Sequence, residues 1–392
     1  MGTWVATTSS TWYAFRIPED SDTERTMDIT IQPKRTDGLY ETPLLHQTSF
    51  WSTVKHEQGI PTLAFDLKIR SHDIGSPSKA AYLLDDMLVL QQYVSRDTSI
   101  AYIPYGPSVR PDDEHIGEFL EELSESLRTH VPSSCMLLRY DLPWESPWAR
   151  DPDLQGPPEP DLQELRLNWG TSERNLHKAA TDQLPADTMM LDLSGSHEDI
   201  LARMKAKTRY NIGLAKRRAV VTRCGTHEDM DIFYELYRQT CRRNGIRLHH
   251  RAFFEAMFAP SHQRIDTSTD FDLLVAEYGN EPLAAIFVVY SSNRATYLFG
   301  ASSSEHRNLM GTYALQWEAI KRAKSRGCTE YDLFGTPPND DRSHPMHGLY
   351  RFKNGFGGHE LHRMGCWDYP LDLRAYQGFV SQELIVAGYH LD

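Results

Sequence analysis

The run Tyr350-Arg351-Phe352-Lys353-Asn354-Gly355-Phe356-Gly357-Gly358 sets one lysine among aromatic residues, just ahead of a glycine-rich stop. An ammonium held against aromatic surface is partly shielded from water, and its field on a nearby carbonyl or phosphate oxygen is strengthened. The same lysine can also lay its stem over an aromatic cluster and keep its head in solvent. The residues upstream bear on that choice. Tyr331-Asp332-Leu333-Phe334 is an apolar run closed by Gly335 and the pair Pro337-Pro338, which predicts a short buried strand. Gly348 to Lys353 predicts a short helix, stopped where Gly355, Gly357 and Gly358 make a left-handed cap cheap.

Other chemistry is sparse. No G-x-S-x-G elbow, H-E-x-x-H pair or phosphate-cradling G-x-x-x-x-G-K-[ST] occurs. His344, His347, His359 and His362 lie near the lysine, but their spacing fits no common metal motif. Group transfer by positioning and charge stabilisation remains. Between Leu201 and His227 stand eight basic residues and no carboxylate: Arg203, Lys205, Lys207, Arg209, Lys216, Arg217, Arg218 and Arg223. Such a local field suits phosphates. Arg238, Arg242, Arg243, Arg247 and Arg251 form a second cluster, and few aromatic residues interleave with either, which favours backbone contact over base stacking.

The elements that must position these groups can be read along the chain. Thr48 or Ser49 can cap a helix carrying Phe50, Trp51 and Val54, on which Lys55 shares a face with Trp51. Strands are expected at 62–69, 81–93 and 99–105, a helix at 112–129 and a strand at 135–140. A proline-interrupted loop then runs from Asp141 to Gln163. A second unit opens with a strand near Thr188, followed by one long helix over 197–218 and helices over 229–244 and 250–258. A three-strand meander over 271–300 and a helix over 309–326 lead to the Tyr331 strand. Hairpin, gap, helix, strand thus occurs twice, at 81–140 and 283–334. A duplicated α/β unit with a mostly antiparallel sheet is the fold this predicts.

The 392 residues carry a net charge of −13, so a polyanion must be met by a local basic surface. Five scattered cysteines without a C-x-x-C pair argue for a reduced, cytoplasmic setting and against structural zinc. No signal peptide is visible at the start, Gly2 is a weak lipidation match, and no run reaches the roughly twenty apolar residues of a membrane span.

The segments HQTSFWSTVK (46–55), YIPYGPSV (102–109), MKAKTRYNIGLAKRRAV (204–220) and the block from His306 to Gly358 resemble the FemABX-like peptidyltransferases, which extend peptidoglycan precursors with amino acids carried on tRNA. The resemblance implies two tandem GNAT-like domains, 1–187 and 188–364, with 365–392 packing back on the first. It implies that Phe352 and Lys353 lie by the reacting ester, with the lysine stabilising negative charge. Lys55 and Arg209 match contacts to the acceptor's diphosphate, and Tyr210, Tyr102 and Tyr350 match cleft residues. Asp112 lies near an acid of the family, and Lys216, Arg217 and Arg218 are expected to meet tRNA. Tyr105 departs from the family's usual arginine before Gly-Pro, and no coiled-coil insertion appears between Ala219 and Phe271.

The expected partners are aminoacyl-tRNA and a UDP-linked or lipid-linked muramyl-peptide, with peripheral membrane contact in the lipid-linked case. No cofactor is expected, since the ester is already activated. Two alternatives stay open. An acyl-CoA N-acyltransferase needs a Q/R-x-x-G-x-G/A loop, where His306 to Gly311 offers one glycine. A non-catalytic tRNA- or polyanion-binding module would use the arginine-rich helices alone.

Overall fold

The computed structural model describes residues 27–150, 157–262 and 268–386. The readings of the opening residues and of positions 387–392 lie outside them. The strands are β1 Ile29–Lys34, β2 Thr62–Arg70, β3 Tyr82–Tyr93, β4 Ser99–Ile103, β5 Cys135–Glu145, β6 His177–Lys178, β7 Asp187–Asp192, β8 Val221–Cys224, β9 Asp270–Tyr278, β10 Glu281–Ser291, β11 Arg294–Ser302, β12 Glu330–Gly335 and β13 His359–Pro370. The helices are α1 Ser49–Glu57, α2 Ile116–Arg128, α3 Pro160–Leu167, α4 His197–Arg203, α5 Ala206–Arg217, α6 Met230–Asn244, α7 Arg251–Glu255, α8 Ala259–His262, α9 Gly311–Ser325, α10 His347–Asn354 and α11 Leu373–Val386.

The strands join in the order β1-β2-β3-β4-β5-β13-β7-β12-β11-β10-β9-β8, with β6 on β13. The duplication is visible in the pairing. β4 and β5 are parallel with α2 as their crossover, and β11 and β12 are parallel with α9 as theirs. An antiparallel meander precedes each pair. The fold is mixed α/β, built from two like units. At the centre β13 serves both: His359–His362 pair with β7, and the stretch from Arg363 to Pro370 pairs with β5.

Each unit buries one crossover helix against its sheet. Phe119, Leu120, Leu123 and Leu127 of α2 meet Leu67, Val89 and Leu138, while Leu315, Ala319 and Ile320 of α9 meet Leu274, Ile286 and Val288. A third core crosses between the units, with Phe50, Trp51 and Val54 of α1 packed in one cluster with Phe233 and Tyr237 of α6 and Phe287 of β10. The Thr48 side chain caps α1 by accepting from Trp51 N.

Several elements differ from the sequence reading. β5 continues past Tyr140 to Glu145 because β13 offers it a partner, and Pro143 falls where that ladder is irregular, where a missing N–H is tolerated. α2 starts at Ile116 rather than Asp112, since the Asp112 side chain accepts from His115 N in a turn. The single helix expected over 197–218 is two. Met204 and Lys205 are extended, and Lys205 N donates to Gly355 O at 2.9 Å, so a tertiary contact replaces helix bonds there.

The C-terminal elements are tied down by charge. Arg139 of β5 is 1% exposed and donates twice to Asp368 of β13, at 2.7 and 2.8 Å, and twice to Glu383 of α11, at 2.7 and 3.0 Å. Removing Asp368 leaves Arg139 with Glu383 alone and its buried Nε–H without an acceptor. Asp368→Ala is therefore expected to lower unfolding free energy by roughly 1–3 kcal/mol. Denaturant titration measures it, and a loss below about 1 kcal/mol would show that the cluster is not what fixes this segment.

Candidate active site

Asp332, in the middle of the apolar run, shapes the end of β12. It is 3% exposed and accepts from Thr188 Oγ1 and, at 2.7 Å, from Phe334 N. The chain turns there: Phe334 has φ of +58°, and the ladder with β7 shifts between Asp332 and Gly335. A bulky residue takes that conformation only when its surroundings impose it. The turn aims the carbonyls of Phe334 and Gly335 at Lys353. The ammonium donates to Phe334 O at 3.0 Å and to Gly335 O, and the Tyr297 ring centroid lies 5.6 Å away.

Lys353 is 4% exposed, so its head is a buried group and not the snorkelling cation the sequence alone allowed. Burial pulls its pKa down to about 7, with Asp332 opposing the shift. The aromatic frame also differs from the expected one. Phe352 and Phe356 pack with Tyr313 at ring distances of 5.0 and 6.0 Å, while Lys353 turns towards Tyr297. Tyr350 donates to Glu360 and accepts from Asn354 Nδ2 at 3.0 Å. Asp332 and Tyr297 went unrecognised in the sequence; the signal for Asp332 was a lone carboxylate inside an apolar strand.

Outside α10 lies a cavity of about 740 Å³ between this helix and the start of α5. Lys205, Lys207, Arg342 and Arg351 line it against one carboxylate, Asp340, and Phe352, Tyr350 and Tyr313 supply apolar wall. His347 Nε2 lies 2.8 Å from Asp340 Oδ1. The glycines set the packing. A Cβ on Gly355 would strike Thr208 Oγ1, and one on Gly357, at φ +81°, would strike the Arg203 carbonyl. The α10 end therefore lies directly on the α4–α5 break. Phe352 lines the cavity while Lys353 faces inward from it.

A model of the FemAB family matches residues 40–266 and 259–380. The chain belongs to the FemAB family. It is similar to the lipid II:glycine glycyltransferase of Staphylococcus haemolyticus, 32% identical over 124 residues, which are 31% of this chain and 29% of that protein. With the enzyme of the same name from Staphylococcus epidermidis it is 22% identical over 249 residues, 49% of this chain and 60% of the relative. The chain thus spans less than two thirds of these curated relatives. Among solved structures, the crystal structure of FemX superposes with a TM-score of 0.66 at 18% identity, covering 88% of this chain and 96% of that one. That likeness shows the fold.

The other residues matched to FemAB motifs are spread more widely. Lys55 lies between α1 and α7, over the Trp51 ring at 4.7 Å and the Phe253 ring at 5.5 Å, and donates to Gln58 Oε1 at 3.0 Å. Burial lowers its pKa to about 8. Arg209 is at the α4–α5 break, donating to the carbonyls of Met204 and Ala202 at the end of α4. The hydrogen-bond and ring partners of Lys55 and those of Arg209 do not overlap. Tyr102 is 4% exposed and donates to Asp141 Oδ2 at 2.7 Å, inside the sheet. Asp112 is paired with His115 at 2.5 Å and lies against Gly75. Tyr210 is exposed on α5, with the Arg217 guanidinium 5.4 Å from its ring.

Lys216 and Arg217 at the far end of α5 and Arg218 just past it lie about 14–17 Å along the helix from Lys207. Arg218 donates to Asn308 O. Other members of the basic clusters are neutralised. Arg223 pairs with Asp229 and Glu277, Arg238 with Glu235, and Arg251 with Asp231 and Glu255. Among the described residues, Asp141, Asp182 and Cys366 bring possible metal-ligand atoms within 4.8 Å of one another. Both carboxylates already accept from protein donors, Asp141 from Tyr102 and Leu184 N, Asp182 from Lys178 and Cys366 N. No helix among the described residues is long and apolar enough to cross a membrane.

The depressed pKa of Lys353 links folding to pH. Between about 7 and the model-peptide value of 10.5 the unfolded chain binds the proton more tightly, so this lysine's contribution to stability grows as pH rises through that window. Denaturant titrations of wild type and Lys353→Met at pH 7 and pH 9.5 should show a smaller gain with pH in the variant. Equal gains would place the lysine in water.

Proposed function

We propose that this FemAB-family chain is an aminoacyltransferase that moves an amino acid from aminoacyl-tRNA to an amine of a muramyl-peptide precursor. The observation that carries the reading is the basic cavity beside Phe352, continued along α5 by Lys216 and Arg217, in a chain of net charge −13. A polyanion fits that shape: its phosphates follow α5 and the cavity, and its ester end has to pass α10 to reach Lys353 on the inner side of the helix. The curated relatives are named for transfer of glycine to lipid II, which favours a lipid-linked acceptor and peripheral contact with a membrane surface.

The acceptor amine attacks the ester carbonyl carbon, a C–N bond forms, and the ester C–O bond breaks to return the ribose hydroxyl. The proton lost by the amine goes to the leaving oxygen. An ammonium has three N–H donors. In Lys353 two are held by Phe334 O and Gly335 O, which leaves one for the oxyanion that develops on the carbonyl oxygen. Lys55 and Arg209 contribute to holding the acceptor's diphosphate. Tyr350 and Tyr210 border the donor path.

If the ammonium is the working form, kcat should hold below about pH 7 and fall as pH rises through it, because burial sets the Lys353 pKa there. Lys353→Met should lower kcat on the order of 10²–10³-fold with substrate binding little changed. Lys353→Arg should restore part of the rate and lose the falling limb. A folded Lys353→Met protein consuming charged tRNA at the wild-type rate, or one consuming acetyl-CoA instead, ends this reading.

Reversing Lys216, Arg217 and Arg218 to glutamate should weaken tRNA binding while sparing the muramyl-peptide. The log–log salt slope should fall by about 2–3. Filter binding across a salt series measures this, and an unchanged slope would return these residues to a solvated helix face.

A further inference from the structure

Asp332 serves two sides. Through Oδ1 it accepts from Thr188 Oγ1 and from Phe334 N, and so holds the turn whose carbonyls bind Lys353. Its other oxygen, Oδ2, faces the place where the two units meet, with Arg363 Nη2 at 3.4 Å. The same carboxylate opposes the effect of burial on Lys353. One buried carboxylate thus stands between two buried cations, and Arg363 has no part in the chemistry derived so far.

Arg363 lies where β13 leaves β7 for β5, opposite Glu145, and its backbone N–H donates to Ala186 O at 2.8 Å. Its side chain is 2% exposed, and the guanidinium lies 4.5 Å from the Tyr105 ring. Tyr105, just past β4, is itself fixed: its hydroxyl donates to Pro185 O at 2.6 Å and its ring meets that of Phe334 edge-on at 6.4 Å. Nε and Nη1 of Arg363 are buried and meet no acceptor among the described residues. Stability does not account for a charge so poorly matched, since apolar residues of similar volume do as well or better in such a place. What the charge does reach is Asp332. The other groups nearby are settled. Arg294 is matched to Glu330 at 2.8 Å, and Glu360 accepts from Tyr350. His46 is held neutral, as burial, helped by Lys55 and Arg363, pulls its pKa to about 3. Tyr297 offers Lys353 its ring, and burial pushes its hydroxyl up to about 12.

We propose that Arg363 is a positioning residue for Lys353, acting through Asp332. The guanidinium holds Oδ2 at the unit boundary and leaves Oδ1 to the turn, so that the Phe334 and Gly335 carbonyls stay aimed at the ammonium. It also takes up part of the carboxylate's field. Lys353 is then not locked into a full ion pair and stays short of counter-charge for an anion that develops beside it. That catalytic consequence rests on the reading of Lys353 as the oxyanion donor, whereas the coupling itself rests on the geometry. Without the guanidinium the whole field of Asp332 falls on Lys353, and water enters beside Tyr105. Both effects favour the charged lysine, so its titration moves up from about 7.

The test reads Lys353 without any substrate. The full chain is labelled with trace acetic anhydride across about pH 5–10, and acetylation at Lys353 is followed by peptide mass spectrometry. In Arg363→Met the midpoint for Lys353 should rise by about half a unit to one unit. If that variant does not fold, Arg363→Gln, neutral but still able to donate to Asp332, should give a shift of the same sign. In an Asp332→Asn background the Arg363 change should no longer move Lys353, because the link is gone. With substrates, kcat below pH 7 should fall on the order of tenfold with KM little changed, and its falling limb should move up in pH with the labelling midpoint. A chain that transfers no aminoacyl group ends the functional reading, and the labelling still decides the coupling. An unmoved Lys353 midpoint in the folded neutral variant, or an equal shift in the Asp332→Asn background, overturns the proposal and makes Arg363 a packing residue of the unit boundary.

Discussion

One strand completes two sheets. β13 must satisfy β7 with its first residues and β5 with its last, so its register is fixed from both sides. A slip of one residue would turn Trp367 and Tyr369 out of one core and disturb the pairing of the other unit. That constraint reaches the candidate active site because β13 begins right after Gly357-Gly358. The helix bearing Phe352 and Lys353 is held between a fixed strand and the α4–α5 break, where added Cβ atoms at Gly355, Gly357 and Gly358 would all collide with neighbours. The glycine-rich stop thus acts less as a helix terminator than as a surface for close approach.

The distribution of charge follows from the same geometry. Arg238 and Arg251 of the second cluster lie where carboxylates of α6 and α7 reach them, as Arg223 of the first lies by Glu277 of β9, and these become structural. The residues at the two ends of α5 face the cavity or the outside. Lys216 and Arg217 at its C-terminal end also complement the helix dipole, so the field persists there without internal acids. An acidic chain can in this way keep a basic track without net attraction for polyanions over its whole surface.

How much of this could be read in the sequence depends on the range of the forces involved. The repeated hairpin, helix and strand were legible because periodicity and breakers are local, and α2 and α9 bury the residues their spacing marked. The break at Met204 was not legible. Neither residue there is a breaker, and the bond from Lys205 N to Gly355 O joins positions 150 apart. Burial of Lys353 was hidden for the same reason, since its ring partner Tyr297 comes from β11 and its carbonyl acceptors from a turn set by Asp332. Arg363 gave no signal at all. It reads as one more charge beside a strand, and only the meeting of the two units encloses it.

Two effects compete at Lys353, and their balance decides what the residue can do. Desolvation disfavours the ammonium by more than a partly exposed site would, and alone it would leave a neutral amine. Two carbonyls and the nearby Asp332 hold the charge in place. The carbonyls are presented by a left-handed Phe334, whose strain is sustained by the buried bonds to Asp332. The ammonium is therefore pre-oriented, poorly hydrated and short of acceptors. Those are the conditions in which an oxyanion appearing within reach gains most, because no water must be displaced and no dipole turned at the moment it forms.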